Sequence, residues 1–258
     1  LDSKGNAYTT GYFSGSFTFA GSTLSNQGTN DYDPFILKHD KNGVEKWAQQ
    51  IGDSGVGWDH GYGITVDQND FVYATGYFTG TQSFGSIQLT SKGGTDIYVQ
   101  KQDSLGKVIW ATSMGSTLGC AGCNGNNGNP VSESGEKIAV DAHGNVYTTG
   151  YFAGTASFGS FTVTATDNED IFLQKQDSSG KVLWVKTFGG NNHERPRELK
   201  IDNNFNFYLT GYYLSNLTFH TQTLTSSGDK ESFIAIFECA PDFIIDTVLA
   251  CDSYKWIN

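Results

Sequence analysis

The chain has 258 residues, room for one large domain or two small ones. Asp and Glu number 27 against 16 Lys and Arg, a formal net charge of −11, so there is no basic footprint to displace counterions from a nucleic acid. No apolar run reaches the roughly 18–20 residues of a membrane-spanning helix, and 32 Gly with only 17% charged residues exclude a helical bundle or a disordered tail and favour an all-β chain rich in turns.

Taken along the chain, a strand B is predicted within Asp2–Phe13, a strand C within Asp33–Asp40 and a strand D within Gly43–Trp47. A strand A, Ile64–Val66, then opens a second copy, followed by B at Val72–Phe78, C within Asp96–Asp103 and D at Val108–Ala111. A third copy runs from A at Ile138–Val140 through B within Asp141–Phe152 and C at Ile171–Leu173 to D at Val182–Val185. The fourth has A ending at Ile201, B within Asp202–Tyr213 and a decayed C at Ser232–Cys239, and it lacks D. Each segment is short, β-branched or aromatic, and bounded by turn residues. The glycine of a Thr-Gly-Tyr element recurs at Gly11, Gly76, Gly150 and Gly211, a repeat that has to be read before anything else.

Several strands are almost continuously apolar, which means that both faces are covered. Four-stranded antiparallel units of roughly 60–70 residues, stacked face to face, predict an all-β β-propeller. About four blades fall in this chain, near 1–65, 66–139, 140–200 and 201–238, as part of a larger ring of six to eight. Leu1 aligns with Val66, Val140 and Ile201, so further blades are expected upstream. Residues 239–258 read as the start of a linker or next domain.

The turns give the units a polarity. A joins B through an Asp turn (Asp67, and Asp141 as Asp-x-x-Gly), and C joins D through Asp-x-x-Gly (Asp40, Asp103, Asp177), with Asp bonding the backbone and Gly, where present, taking positive φ. Both turns fall at one end by strand alternation. The long B–C and D–A connections, including the extended Gly115–Gly135, fall at the other, where binding residues are expected.

The ordered series Asp-x-x-Gly-Asn-Val-Tyr-x-Thr-Gly-Tyr-Phe, Phe-Gly, Asp-Ile-Phe-Leu-x-Lys-x-Asp, Gly-x-Val-x-Trp and Gly-Gly resembles the bacterial β-propeller repeat family often called SBBP, over about residues 1–238. The tail, with Cys251-Asp-Ser-Tyr-Lys-Trp256, is similar to segments that follow such propellers in large surface and secreted proteins of Bacteroidota. The resemblance implies an extracellular or cell-surface protein of several domains, exported by the type IX route.

Four cysteines are present. Cys120 and Cys123 sit in a Gly/Asn-rich insertion without the helix of a redox C-x-x-C, and a disulfide bracing the loop is preferred over metal or free thiols. Cys239 and Cys251 can bridge the last blade to the tail, or Cys251 can pair elsewhere. Asp33, Asp96 and Asp170 open strand C in successive copies. They are read as carboxylates bonding their own B–C loops, with a ring of Ca²⁺ ligands as the weaker alternative; no other cofactor is expected. Asp202-Asn-Asn204-Phe-Asn206 imitates half of a calcium loop but coincides with a turn. Trp58, Asp59 and His60 occupy the same D–A loop as His193, Glu194 and Arg195 in another copy, and together form the candidate rim for a sugar or peptide. The Tyr-Phe of each Thr-Gly-Tyr-Phe is assigned to the core between blades. No nucleophile elbow, P-loop or zinc-protease motif occurs, so no catalytic residue is named.

The leading expectation is therefore a non-enzymatic extracellular propeller, an adhesion or binding scaffold for a protein or glycan at the cell surface, with neighbouring domains in a longer chain. The alternatives are a secreted hydrolase or lyase acting on polysaccharide or peptide at the axial mouth, and a structural spacer in a surface fibre.

Overall fold

The computed structural model describes residues 1–26, 31–52, 57–117, 133–219, 222–226, 230–238 and 253–256, and all regular structure among them is β. The first unit holds β1 (Ala7–Phe13), β2 (Ser16–Phe19), β3 (Ser22–Ser25), β4 (Asp33–His39) and β5 (Glu45–Gln50). The second holds β6 (His60–Val66), β7 (Val72–Phe84), β8 (Ile87–Gln102) and β9 (Val108–Ser116). The third holds β10 (Glu133–Val140), β11 (Val146–Phe152), β12 (Thr155–Phe158), β13 (Phe161–Thr164), β14 (Asp170–Gln176) and β15 (Val182–Phe188). The fourth holds β16 (Arg195–Ile201), β17 (Phe207–Tyr213), β18 (Asn216–Phe219), β19 (Gln222–Thr225), β20 (Glu231–Glu238) and β21 (Ser253–Trp256).

The predicted A-B-C-D series are antiparallel sheets in chain order: β6-β7-β8-β9, β10-β11-β14-β15 and β16-β17-β20-β21, with β1-β4-β5 in the first unit. Two features depart from the sequence reading. Strand D of the fourth unit is present: β21 pairs with β20, Ala235 opposite Trp256, so part of the segment expected to lie beyond the repeats completes the last sheet. The B–C stretch is a hairpin rather than a loop: β2-β3, β12-β13, β18-β19 and the outer ends of β7 and β8. Three of these hairpins strap one unit to the one before it. Gly52 N donates to Ser83 O at 3.0 Å, Ser157 pairs with Gly115, and Thr218 N donates to Gly189 O at 2.9 Å. The phenylalanines that close their inner strands, Phe84, Phe158 and Phe219, are fully buried, which fixes the straps by apolar burial of roughly 1.5–3 kcal/mol each.

The Asp turns behave alike in seven places. In each, one carboxylate oxygen accepts from the amides two and four residues on: Asp67 from Asn69 N and Phe71 N at 2.9 Å, and Asp103 from Leu105 N at 2.9 Å and Lys107 N at 3.0 Å. In the A–B turns the second oxygen also takes a strand-B tyrosine hydroxyl: Tyr8, Tyr73, Tyr147 and Tyr208 donate to Asp2, Asp67, Asp141 and Asp202 at 2.9–3.2 Å. Turns of successive units touch. Trp47 Nε1 donates to Ser104 O at 3.2 Å and Trp110 Nε1 to Ser178 O at 3.0 Å, each indole resting on a glycine, Gly106 or Gly180, held at positive φ. Sheets thus stack in chain order, β1 on β6, β6 on β10 and β10 on β16. The ends of the strands opposite the Asp turns hold the candidate site.

Candidate functional site

Strand A carries a β-bulge at one position in three units: between Gly61 and Gly63, Gly135 and Lys137, and Pro196 and Glu198. A bulge adds one residue and re-aims its side chain, and here the added residues are Tyr62, Glu136 and Arg197. Just before the bulge, the carbonyls of His60, Ser134 and Arg195 press onto the Thr-Gly-Tyr glycines of the next strand. A Cβ at Gly76, Gly150 or Gly211 would fall on those oxygens, well inside van der Waals contact. This is why the repeat keeps glycine there.

The tyrosine after each glycine is consequently carried to the bulged end of the sheets. The assignment of the Tyr-Phe pair to the core holds for Tyr77, Phe78, Tyr151 and Phe152, which are buried, although both tyrosines also border a polar cluster; it does not hold for Tyr12. Tyr12 is 46% exposed and stacks on His60 of the next unit, centroids 3.6 Å apart and 5° from parallel. Tyr151 carries the Arg195 guanidinium of the next unit 3.4 Å above its ring, and Arg197 lies 5.0 Å over Tyr212. His60 Nδ1 lies 2.9 Å from Tyr62 Oη and 3.0 Å from Tyr77 Oη. Tyr32 packs edge-on to Tyr12, His60 and Trp58.

Burial sets the protonation states. It depresses His60 to about 4, so at neutral pH the imidazole is uncharged and accepts from a phenol. Burial lifts Tyr62 to about 12, aided by Glu136, and burial likewise raises Tyr77 and Tyr151. Glu136 is also raised by burial, while Ser134 Oγ donates to its Oε1 at 3.0 Å. The arrangement is an uncharged imidazole–phenol network with two guanidiniums beside it. It can stack, donate hydrogen bonds and attract an anion.

Of the six rim residues expected from sequence, His60 and Arg195 belong to this cluster. Trp58 reaches it through Tyr32. His193 flanks it, its Nδ1 2.7 Å from Glu169 Oε2, an oxygen that also receives Arg195 Nη2. Asp59 and Glu194 are not on the rim. They are 1% and 0% exposed and lie at the junctions between units. Tyr12, Tyr62, Tyr77, Tyr151, Glu136 and Arg197 were missed, and the only sequence trace of the bulge is the glycine or proline at positions 61, 135 and 196.

Asp33, Asp96 and Asp170 are buried, each in its own unit, and no group of three or more His, Cys, Asp and Glu among the described residues could hold a metal. They therefore form no shared ring. Asp96 accepts Lys92 N at 3.0 Å, Asp170 accepts Thr166 N at 3.0 Å and Thr166 Oγ1 at 3.1 Å, and Asp33 accepts Gln50 Nε2 at 2.6 Å. The Asp202 carboxylate is used by its own turn, as the sequence suggested. Cys120, Cys123, Cys239 and Cys251 lie outside the described residues.

No protein-family model matches the chain, and no curated protein does. A crystal structure of a protein of unknown function from Bacteroides caccae aligns over 89% of this chain and 82% of that one, at 7% identity and a TM-score of 0.29. That likeness is too low to carry fold or function across.

Proposed function

We propose that this chain is an SBBP-type propeller segment of an extracellular or cell-surface protein, and that it binds an acidic glycan at the bulged end of its sheets. The observation that carries the reading is the convergence of side chains from all four units: Tyr12 from the first, His60, Tyr62 and Tyr77 from the second, Glu136 and Tyr151 from the third, and Arg195 and Arg197 from the fourth. Exposed Tyr12 and Tyr62 offer faces for sugar rings. Arg197 is exposed, forms no ion pair among the described residues, and fits a carboxylate or sulfate. Repeating sheets supply the rigid frame. A glycan-array screen followed by calorimetric titration tests it. Tyr62→Ala and Arg197→Ala should each weaken binding roughly tenfold or more. Absence of any acidic-glycan binder, or equal affinity in both variants, overturns it.

A second reading, a secreted lyase at the same mouth, draws support from the neutral His60 held between two phenols, since such a pair can take and return a proton. Chain cleavage of a bound polysaccharide, abolished by His60→Gln, would select it over binding alone.

A further inference from the structure

The junctions between units each bury a pair of acids. Tyr32 bridges Trp58 and Glu169 bridges His193, both in parallel, which sets Asp33 beside Asp59 at the first junction and Asp170 beside Glu194 at the third. At the second, Thr95 Oγ1 donates to Glu133 O at 3.0 Å, bringing Asp96 alongside Glu133. All six are 0–2% exposed. Two neighbouring carboxylates out of water cannot both stay ionised unless donors or a cation compensate them.

The first two junctions supply donors. Asp59 Oδ1 accepts Thr79 N at 2.7 Å and Thr79 Oγ1 at 3.0 Å, and its Oδ2 accepts Gln82 Nε2. Glu133 Oε1 accepts Ser116 Oγ at 2.6 Å. The third junction keeps both acids and loses every one of these side-chain donors. By repeat alignment, Thr79 becomes Leu214, Gln82 becomes Leu217 and Ser116 becomes Gly190. Both oxygens of Glu194 and Oδ1 of Asp170 have no hydrogen-bond partner. The amides of Gly190 and Asn192 lean toward Glu194 without reaching bonding geometry. The two nearby side chains that could reach it, His193 and Arg195, are held on Glu169 instead.

We propose that a Ca²⁺ ion bridges Asp170 and Glu194 at the junction between the third and fourth units. The three unpartnered carboxylate oxygens form the anionic part of the site, and carbonyls or water complete the shell. Calcium suits them because it takes six to eight oxygen ligands in irregular geometry, whereas magnesium demands a near-ideal octahedron. At the other junctions Asp59 and Glu133 already accept side-chain hydrogen bonds, so no second pair among the described residues offers three open oxygens, and one site is expected, independent of what the rim binds.

Calorimetry and thermal unfolding of the whole chain, with CaCl2 up to about 10 mM or with chelator, test this. Wild type should bind calcium with a dissociation constant on the order of 10⁻⁴–10⁻³ M, and saturation should raise the Tm by about 2–5 °C. In Glu194→Gln the calcium heat and the Tm rise should vanish, while the chelated Tm stays equal to or above wild type because a buried acid has been removed. Asp170→Asn gives a second reading. No calcium response in wild type, or an undiminished one in either variant, overturns the site.

Discussion

Tyr12 and His60 belong to different units, yet their rings lie parallel with centroids 3.6 Å apart. The stack closes one side of the imidazole, and Tyr62 and Tyr77 occupy its Nδ1, so a proton on His60 gains no water. His60 falls to about 4 from an ordinary 6.5 through burial. Between those values the unfolded chain binds the proton and the folded one does not. Stability from this group is therefore full above pH 6.5 and is lost as pH falls toward 4, by on the order of 3 kcal/mol. The expected outcome is a His60 ring resonance that stays in its neutral position at pH 5.5. His60→Gln should show a shallower acid loss of Tm than wild type. A resonance titrating near pH 6.5 would contradict the buried network.

Gly150 is the position where the repeat leaves no choice. A Cβ there would overlap the Ser134 carbonyl oxygen and sit 2.8 Å from Phe172 Cε1. Neither can yield, since Ser134 is part of the bulged strand and Phe172 is fully buried. Gly150→Val should cost at least about 3 kcal/mol and lower the Tm by roughly 6–12 °C. An unchanged melting curve would mean that the bulged strand does not press on this glycine.

How much of this was legible beforehand follows from which interactions are local. The Asp-x-x-Gly turns close within five residues, so Asp141 and Asp103 announce them directly. The tryptophans mark strand D because Trp47 and Trp110 do the same work in successive units. Trp256 also marks a strand D, but the longer separation in sequence between Glu238 and Ser253 hid it. Tyr77 and Tyr151 are buried as the pattern suggested, but their place beside a polar cluster, and the exposure of Tyr12, were not legible, because hydrophobic pattern cannot separate an aromatic that only fills a core from one that also lines a polar mouth. That difference is made by a bulge in the neighbouring strand, and Tyr62, Glu136 and Arg197 share no chemical type that would mark them as equivalent. Asp59 and Glu194 looked like rim residues because acidic side chains in loops usually face water; here the parallel bridges turn them inward.

Trp110 joins two units by a hydrogen bond and a ring contact, and the two can be separated. Trp110→Phe keeps an aromatic face against Gly180 and loses the bond from Nε1 to Ser178 O. It should cost about 0.5–1.5 kcal/mol. Trp110→Ala also removes the packing and should cost about 3–5 kcal/mol at most, less in proportion to the ring's residual exposure. Urea unfolding should shift the midpoint in this order at constant slope. Equal losses would mean that the ring contact contributes nothing.

Asp59 gives the opposite pH dependence to His60, its neighbour in the chain. Burial, with Asp33 and Asp31 nearby, lifts it to about 7 against the opposing bonds from Thr79. The folded chain therefore keeps a proton that the unfolded chain releases above about pH 4. This stabilising contribution is complete below the unfolded value of 3.8 and is lost as pH rises through 7. Asparagine at this position retains an oxygen for the Thr79 amide and cannot ionise. Asp59→Asn should thus match or fall slightly below wild type at pH 4.5 and exceed it at pH 8.5 by on the order of 2–4 kcal/mol. The measurement is the difference in unfolding free energy at the two pH values. Parallel pH profiles for the two proteins would show that Asp59 is ionised in the fold at neutral pH, and that its donors outweigh its burial.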